Sequence, residues 1–162
     1  MKQVFLIVIL LAFSFSHARI SYSNTAKAKS KSATCPAKSL VNESKELLKP
    51  DFIYDGFKLI KIKLRDEPQI RGIVVPVSPE VEFRYIFNRS HLPEGSEINV
   101  YRGNRASADT RQFSSVDSED SESMLVYKPE RDLGMMYIEF KIPAKGKGPG
   151  SGCVCVLAGY RL

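Results

Sequence analysis

The chain has few of the residues on which common catalytic and metal sites depend. It contains no tryptophan, two histidines and three cysteines. Only one histidine, His91, lies beyond the N-terminal apolar run. Nothing beside it marks the nucleophile and the orienting group that a histidine-dependent triad requires. The cysteines also lack the closely spaced pairs that zinc sites favour. The sequence therefore predicts no catalytic residue, no metal site and no cofactor.

Long apolar runs are absent apart from one at the start of the chain. The basic opening Met1–Gln3 precedes the apolar run Val4–Phe15, and Ser16–Ala18 follows as a small-x-small signature. This order of segments is typical of a secretory signal peptide, here residues 1–18. The run is shorter than the roughly 20 residues that a membrane span needs. We therefore expect secretion across the inner membrane to a periplasmic or extracellular location, with no transmembrane segment in the mature chain.

Net positive charge is concentrated in a short segment rather than spread along the chain. Of the net charge of +6, Lys2 supplies one, and four more basic residues precede Ala33 with no acid among them: Arg19, Lys27, Lys29 and Lys31. A nucleic-acid-binding domain carries its basic patch on the folded surface, so no nucleic-acid partner is expected. Residues 19–51 are interpreted as a basic flexible leader, poor in apolar surface. Within it, Ser39–Leu48 predicts one short helix that Pro50 ends.

From residue 52 onward the pattern is that of strands. In the clearest example, Phe83, Tyr85 and Phe87 alternate with polar residues, as in a half-buried strand. The final strand, Cys153–Tyr160, carries no charge, which indicates burial on both faces. Turn signals separate about eight predicted strands: Leu59–Leu64, Ile73–Val75, Val81–Asn88, Ile98–Tyr101, Gln112–Phe113, Met124–Tyr127, Met135–Ile142 and Cys153–Tyr160. The prediction is an all-β domain over 52–162, an antiparallel, jelly-roll-like β-sandwich.

The cysteines permit one disulfide but do not identify it. Cys153 and Cys155 are two residues apart, so they share one strand face at a Cα separation near or beyond the span of a disulfide. Cys35 is a candidate partner for either Cys153 or Cys155. The alternative is three thiols, two of them packed as small apolar residues. An odd number of cysteines leaves one thiol over in both cases.

A set of short fragments supports a family resemblance. The fragments are Tyr54–Gly56, Tyr85–Asn88, Leu92–Pro93, Ile98–Tyr101, Tyr127–Pro129, Met136–Ile138, Gly152–Cys153 and Gly159–Tyr160. This pattern of strands and turns resembles a group of small, uncharacterised secreted β-sandwich proteins of the Bacteroidota. The resemblance contains no catalytic motif. It implies a periplasmic or exported β-sandwich of a Gram-negative bacterium and carries over no activity.

The acidic run 117–122 raises the question of calcium binding. Its spacing lacks the alternating acids and the glycine of an EF-hand loop. Sandwich domains also bind calcium through other loops, so that alternative stays open. The favoured interpretation is a solvated charged loop.

Two non-enzymatic functions remain. The first is an envelope accessory or protein-interaction module that contacts another protein through a sheet edge or a loop end. The alternative is a carbohydrate-binding module, which would show two or more exposed aromatics on one flat surface, from the set Tyr54, Tyr101, Tyr127 and Tyr160. A glycoside hydrolase would need paired carboxylates in a cleft. Nothing in the sequence marks such a pair, so no enzyme is predicted. The partner is an unknown envelope protein or glycan, and the oligomeric state is left open.

Overall fold

The computed structural model describes residues 35–117, 123–146 and 150–162. The predicted signal peptide and residues 19–34 of the predicted leader lie outside this part of the chain. Eight strands and one α-helix make up the described part of the chain, with short 3-10 turns at Ala108–Thr110 and Arg131–Leu133. The helix and strands are α1 (Ala37–Glu46), β1 (Ile53–Lys63), β2 (Gln69–Pro76), β3 (Glu82–His91), β4 (Glu97–Arg102), β5 (Arg111–Ser114), β6 (Met124–Tyr127), β7 (Met135–Ile142) and β8 (Ser151–Arg161).

The strands form two antiparallel sheets of four. Sheet A has the order β1-β8-β3-β6, and sheet B has the order β2-β7-β4-β5. Every connection crosses from one sheet to the other except that between β4 and β5. This is the topology of a jelly roll, a fold of eight strands in two sheets. The predicted all-β, antiparallel sandwich is confirmed.

The core lies between the two sheets and is built by alternate residues of each strand. Phe87 from sheet A and Phe140 from sheet B are both fully buried in it. The contribution of sheet B to this core also includes Ile98, Val100 and Ile138. Because side chains in a strand alternate between faces, the intervening residues of these strands point away from the core.

Helix α1 adds a second apolar layer on the outer face of sheet A. Leu40 and Leu48 pack against Ile86, Cys155 and Leu157 in a cluster separate from the sandwich core. The strand β8 is therefore covered on both faces, as its uncharged sequence predicted. The helix begins two residues before the predicted Ser39. Residues 35–51, the described part of the predicted leader, lie on the sandwich.

A disulfide fixes the start of this helical segment to β8. Cys35 bonds Cys153, with the two Cα atoms 6.0 Å apart. This settles the pairing between the two candidates left open by the sequence, and Cys155 remains a buried free thiol. A second connection follows the helix, where Arg84 Nη1 donates a hydrogen bond of 2.8 Å to the carbonyl of Leu47.

Candidate functional site

The single histidine beyond the N-terminal segment, His91, is the last residue of β3. His91 lies opposite Cys153 in the pairing of β3 with β8, but the sulfur of Cys153 is held in the disulfide. His91 lines an open cleft of about 640 Å³ with Glu94 and Lys145. Other residues of this cleft flank 147–149, which lie outside the described residues. Ser90 and Ser151 also line the cleft, and the hydroxyl of Ser90 donates a hydrogen bond to Oδ1 of Asn88 rather than to the imidazole.

Cys155 is the one free thiol, and its surroundings suppress its reactivity. Burial raises its pKa from the ordinary 9.0 to about 11, and contact with the Ser44 side chain opposes the rise only in part. At neutral pH the group is a neutral thiol beneath α1. A thiolate nucleophile needs the opposite environment, exposed and electropositive.

The raised pKa of Cys155 predicts an alkaline loss of stability. The unfolded chain releases this proton near pH 9, whereas the folded chain retains it until about pH 11. The contribution is therefore fully present below pH 9 and is lost between pH 9 and 11. Denaturant unfolding of the wild type at pH 8 to 11 should show this decline, and Cys155→Ala should have a shallower one. Equal slopes in the two proteins would contradict the assignment.

Metal ligation receives no support from the described residues. Asp117 forms an ion pair of 3.4 Å with Arg111, and residues 118–122 of the acidic run lie outside the part of the chain that the structure describes. Within that part, no three His, Cys, Asp or Glu side chains come together as a metal site would require. The calcium alternative thus falls largely on residues that are not described.

The four tyrosines considered for sugar stacking do not form a flat exposed surface. Tyr127 belongs to the sandwich core and Tyr101 is also buried. Tyr54 is exposed, but the ammonium of Lys45 lies 3.9 Å from its ring centroid. Tyr160 is half-buried. It lies opposite Ile53, whereas Tyr54 lies opposite Gly159, so Tyr160 and Tyr54 are on opposite faces of sheet A.

The outer face of sheet B carries a polar cluster of different composition. Asn99 and Tyr101 of β4 point outward, and in the pairing with β7 they lie opposite Glu139 and Tyr137. Directly opposed residues of antiparallel strands have Cβ atoms about 5 Å apart. The register therefore places an amide, a carboxylate and two phenols side by side. We call these four residues the Glu139 cluster.

The two tyrosines lean toward the carboxylate. Tyr101 donates a hydrogen bond of 3.1 Å to Oε1 of Glu139. The rings of Tyr101 and Tyr137 are tilted by 42°, with centroids 6.3 Å apart. The hydroxyl of Tyr137 lies over Gly72, the β2 residue opposite Glu139, where any Cβ would overlap it. Burial, and then the neighbouring charge of Glu139, raise the pKa of Tyr101.

Some polar groups of the Glu139 cluster have no hydrogen-bond or ion-pair partner among the described residues. Glu139 is only 5% exposed, and no ion pair forms to it among the described residues. The basic residues of this face are paired elsewhere, Lys141 with Glu97 at 3.4 Å and Arg111 with Asp117. Asn99 is 1% exposed, and neither Nδ2 nor Oδ1 has a hydrogen-bond partner within the described chain. Burying a carboxylate without a cation and an amide without partners is costly.

The chain matches no protein-family model, no curated protein and no solved structure. The resemblance to secreted proteins of the Bacteroidota therefore stays a prediction, and function has to be argued from the surface chemistry. No helix of the described segments combines the length and the apolar character of a membrane span.

An exposed apolar patch adjoins the Glu139 cluster. Val74 lies opposite Tyr137, and Pro76 lies opposite Met135, in the pairing of β2 with β7. Val74 and Met135 are 45% and 42% exposed. We call Val74, Pro76, Met135 and Tyr137 the Val74 patch, and Tyr137 belongs to both groups. The outer face of sheet B thus presents an apolar area beside an unneutralised carboxylate.

Sequence reasoning missed this site. Alternation in β7 correctly placed Glu139 on the solvent side, opposite to the core residue Ile138. The usable signal was the one acid of β7, together with Tyr101 at the same face of β4. Their contact depends on which residues of β4 and β7 are paired, and the sequence does not specify that register.

Proposed function

We propose that the protein is an exported, non-enzymatic β-sandwich module that binds another protein of the cell envelope through the outer face of sheet B. The observation that carries this proposal is the Val74 patch, a contiguous apolar area on the sheet face that α1 leaves open. Exposed apolar patches rimmed by polar groups are typical of protein interaction sites. Tyrosine and methionine, both present here, are enriched in such interfaces.

A face is a better docking surface here than a sheet edge. The edge strand β1 has a bulge between Tyr54 and Gly56 and exposed lysines at 58, 61 and 63. The edge strand β2 ends in Pro76. Bulges, lysines and prolines at edges are the features by which sandwiches avoid pairing with another strand. These two edges therefore favour neither β-strand addition nor edge-to-edge assembly.

Export is supported by two independent features. The order of basic, apolar and small residues over 1–18 is that of a signal peptide. The Cys35–Cys153 disulfide is compatible with an oxidising compartment, where such bonds persist. Both fit a periplasmic or extracellular protein.

Glycan binding is the second candidate, and the Glu139 cluster is the observation that favours it. Sugar hydroxyls both donate and accept hydrogen bonds, which would satisfy Nδ2 and Oδ1 of Asn99 together. The open aromatic platform that usually accompanies sugar binding is not formed by the tyrosines of this face, because Tyr101 is 7% exposed. We therefore place the protein partner first.

A pull-down of envelope material on the immobilised mature chain tests the proposal, with a matched pair of variants. Val74→Glu places a charge in the patch, whereas Val126→Glu places the same charge at an equally exposed valine, 44% against 45%, on the outer face of sheet A. We expect the immobilised mature chain to retain an envelope protein and Val74→Glu to weaken its affinity at least about tenfold, because burying an unpaired charge in an interface is costly. Val126→Glu should leave retention unchanged.

Protease treatment of the envelope material separates the two candidate functions. Loss of retention after treatment, together with the Val74→Glu effect, supports a protein partner. Retention that survives treatment identifies a glycan or a lipid and overturns the leading proposal. Equal losses in Val74→Glu and Val126→Glu would also reject the sheet B face as the interface.

A further inference from the structure

We infer that the Glu139 cluster binds the guanidinium group of an arginine side chain that the partner protein presents. The inference deepens the proposed function and rests on it for the source of the arginine. Glu139 is a nearly buried carboxylate. It accepts a hydrogen bond from the Tyr101 phenol, and no cation is paired with it among the described residues.

The two cations that the described chain places on this sheet face are each paired with another carboxylate. Lys141 follows Glu139 by two residues on the same face of β7, but its ammonium pairs with Glu97 of β4. Arg111 lies opposite Tyr101 and pairs with Asp117. A buried carboxylate is stabilised by a cation with good geometry more than by any neutral donor. No cation of the described chain is therefore paired with Glu139, and the partner would supply one.

The surroundings of Glu139 fit a guanidinium better than an ammonium. A guanidinium is planar, stacks on aromatic faces and donates two parallel N–H groups to one carboxylate. The two phenol rings beside Glu139, with centroids 6.3 Å apart, supply aromatic faces next to the carboxylate. Oδ1 of Asn99, in the row of Glu139, is buried without a partner among the described residues, so it would accept a third N–H once a side-chain movement exposed it. An ammonium is more strongly hydrated and lacks this planar match.

The guanidinium would approach Glu139 from the side of the cluster where Tyr137 lies. It is the half-buried member of the cluster, and its hydroxyl lies over the exposed residue Gly72 on the edge strand β2. It is also the member shared with the Val74 patch. A partner that places an apolar side chain on Val74 would therefore bring a neighbouring arginine to Glu139, so that apolar contact and charge pairing act at one interface.

A titration with model compounds tests the site without the partner. We would add N-acetyl-arginine amide to the isotopically labelled mature chain and follow the backbone amide resonances of Gly72, Asn99, Tyr101, Tyr137 and Glu139. N-acetyl-citrulline amide is the control, because it has the same shape without the charge. We expect saturable shifts at these residues with the arginine compound and an affinity at least about tenfold lower with citrulline.

Two substitutions show whether Glu139 itself is responsible. Glu139→Gln keeps the size and an oxygen that accepts the hydrogen bond from the Tyr101 hydroxyl but removes the charge, so arginine binding should weaken at least about tenfold. Glu94→Gln makes the same change at an exposed residue of the β3–β4 turn and should have no effect. Tyr137→Leu keeps the carboxylate and the apolar patch but removes a ring, and a lower affinity is expected there too. Unchanged amide spectra away from the face confirm that each variant folds.

The possible results are distinct from those of the retention experiment. Equal shifts with arginine and citrulline, or unchanged binding in Glu139→Gln, would overturn the inference even if an envelope protein is retained through Val74. Shifts at the same residues with neutral oligosaccharides and none with arginine would overturn it in favour of a sugar site. Arginine binding that depends on Glu139 supports the inference even if retention shows no protein partner, in which case only the proposed function fails.

Discussion

Replacing Cys35 by serine is expected to lower the free energy of unfolding by about 3–5 kcal/mol, because the disulfide closes a long loop in the unfolded chain. The bonded cysteines are 118 residues apart. In the chain-entropy account, a loop of roughly 100 residues corresponds to about 4.7 kcal/mol, which we take as an upper value. The bond also holds the start of α1 on sheet A, so amide hydrogen exchange in α1 should accelerate more than in the core strands. Denaturant unfolding under oxidising conditions gives the free energy.

Two comparisons isolate the disulfide from other effects of the substitution. Wild-type protein kept in a reducing agent should unfold with the same free energy as Cys35→Ser. Cys155→Ala removes a buried sulfur but retains the Cys35–Cys153 bond, so its loss should be only about 1 kcal/mol, a typical value for a point substitution. If Cys35→Ser costs no more than Cys155→Ala, the bond contributes little and α1 is held by packing alone.

The strands could be predicted because their signal is local. Alternation with a period of two depends only on neighbouring residues, and it gave Met135–Ile142 with the observed bounds of β7. Prediction was poorer where the backbone is irregular. β1 begins at Ile53 rather than at Leu59, since the bulge between Tyr54 and Gly56 shifts the alternation. Ile86 interrupts the polar face of β3, and it is fully buried because α1 covers that face.

The site and the disulfide partner depend on contacts between distant residues, which local patterns do not contain. Asn99 and Glu139 are 40 positions apart and meet only through the register of β4 with β7. A shift of one residue would have turned either side chain into the core. Cys153 and Cys155 share one strand face, so only the position of α1 separates them. Cys35 lies two residues before the first residue of the helix and bonds Cys153, whereas Cys155 lies beneath the helix beside Ser44.

The contacts between α1 and sheet A also predict a large loss of stability when α1 is removed. A chain that begins at Phe52, where the sequence placed the start of the sandwich domain, lacks Leu40, Val41 and Leu48, each of which is buried on sheet A. Burial of such side chains contributes about 1.5–3 kcal/mol each, so their loss amounts to roughly 5–9 kcal/mol. The shortened chain also lacks the disulfide, at about 3–5 kcal/mol. The sum is comparable with the whole stability of a domain, about 5–15 kcal/mol.

We therefore expect residues 52–162 alone to bind a hydrophobic dye and to lose cooperative unfolding, whereas residues 35–162 unfold in one cooperative step. The reason is that Ile86, Cys155 and Leu157 would face water once the helix is gone. Calorimetry and dye fluorescence of the two chains make the comparison. A chain 52–162 that unfolds cooperatively, within about 1 kcal/mol of the longer one, would show that sheet A needs no outer layer and that α1 is an appendage. Failure of the shorter chain would place the start of the folded unit at Cys35, because the helix and its disulfide would then be as necessary to the sandwich as its own strands.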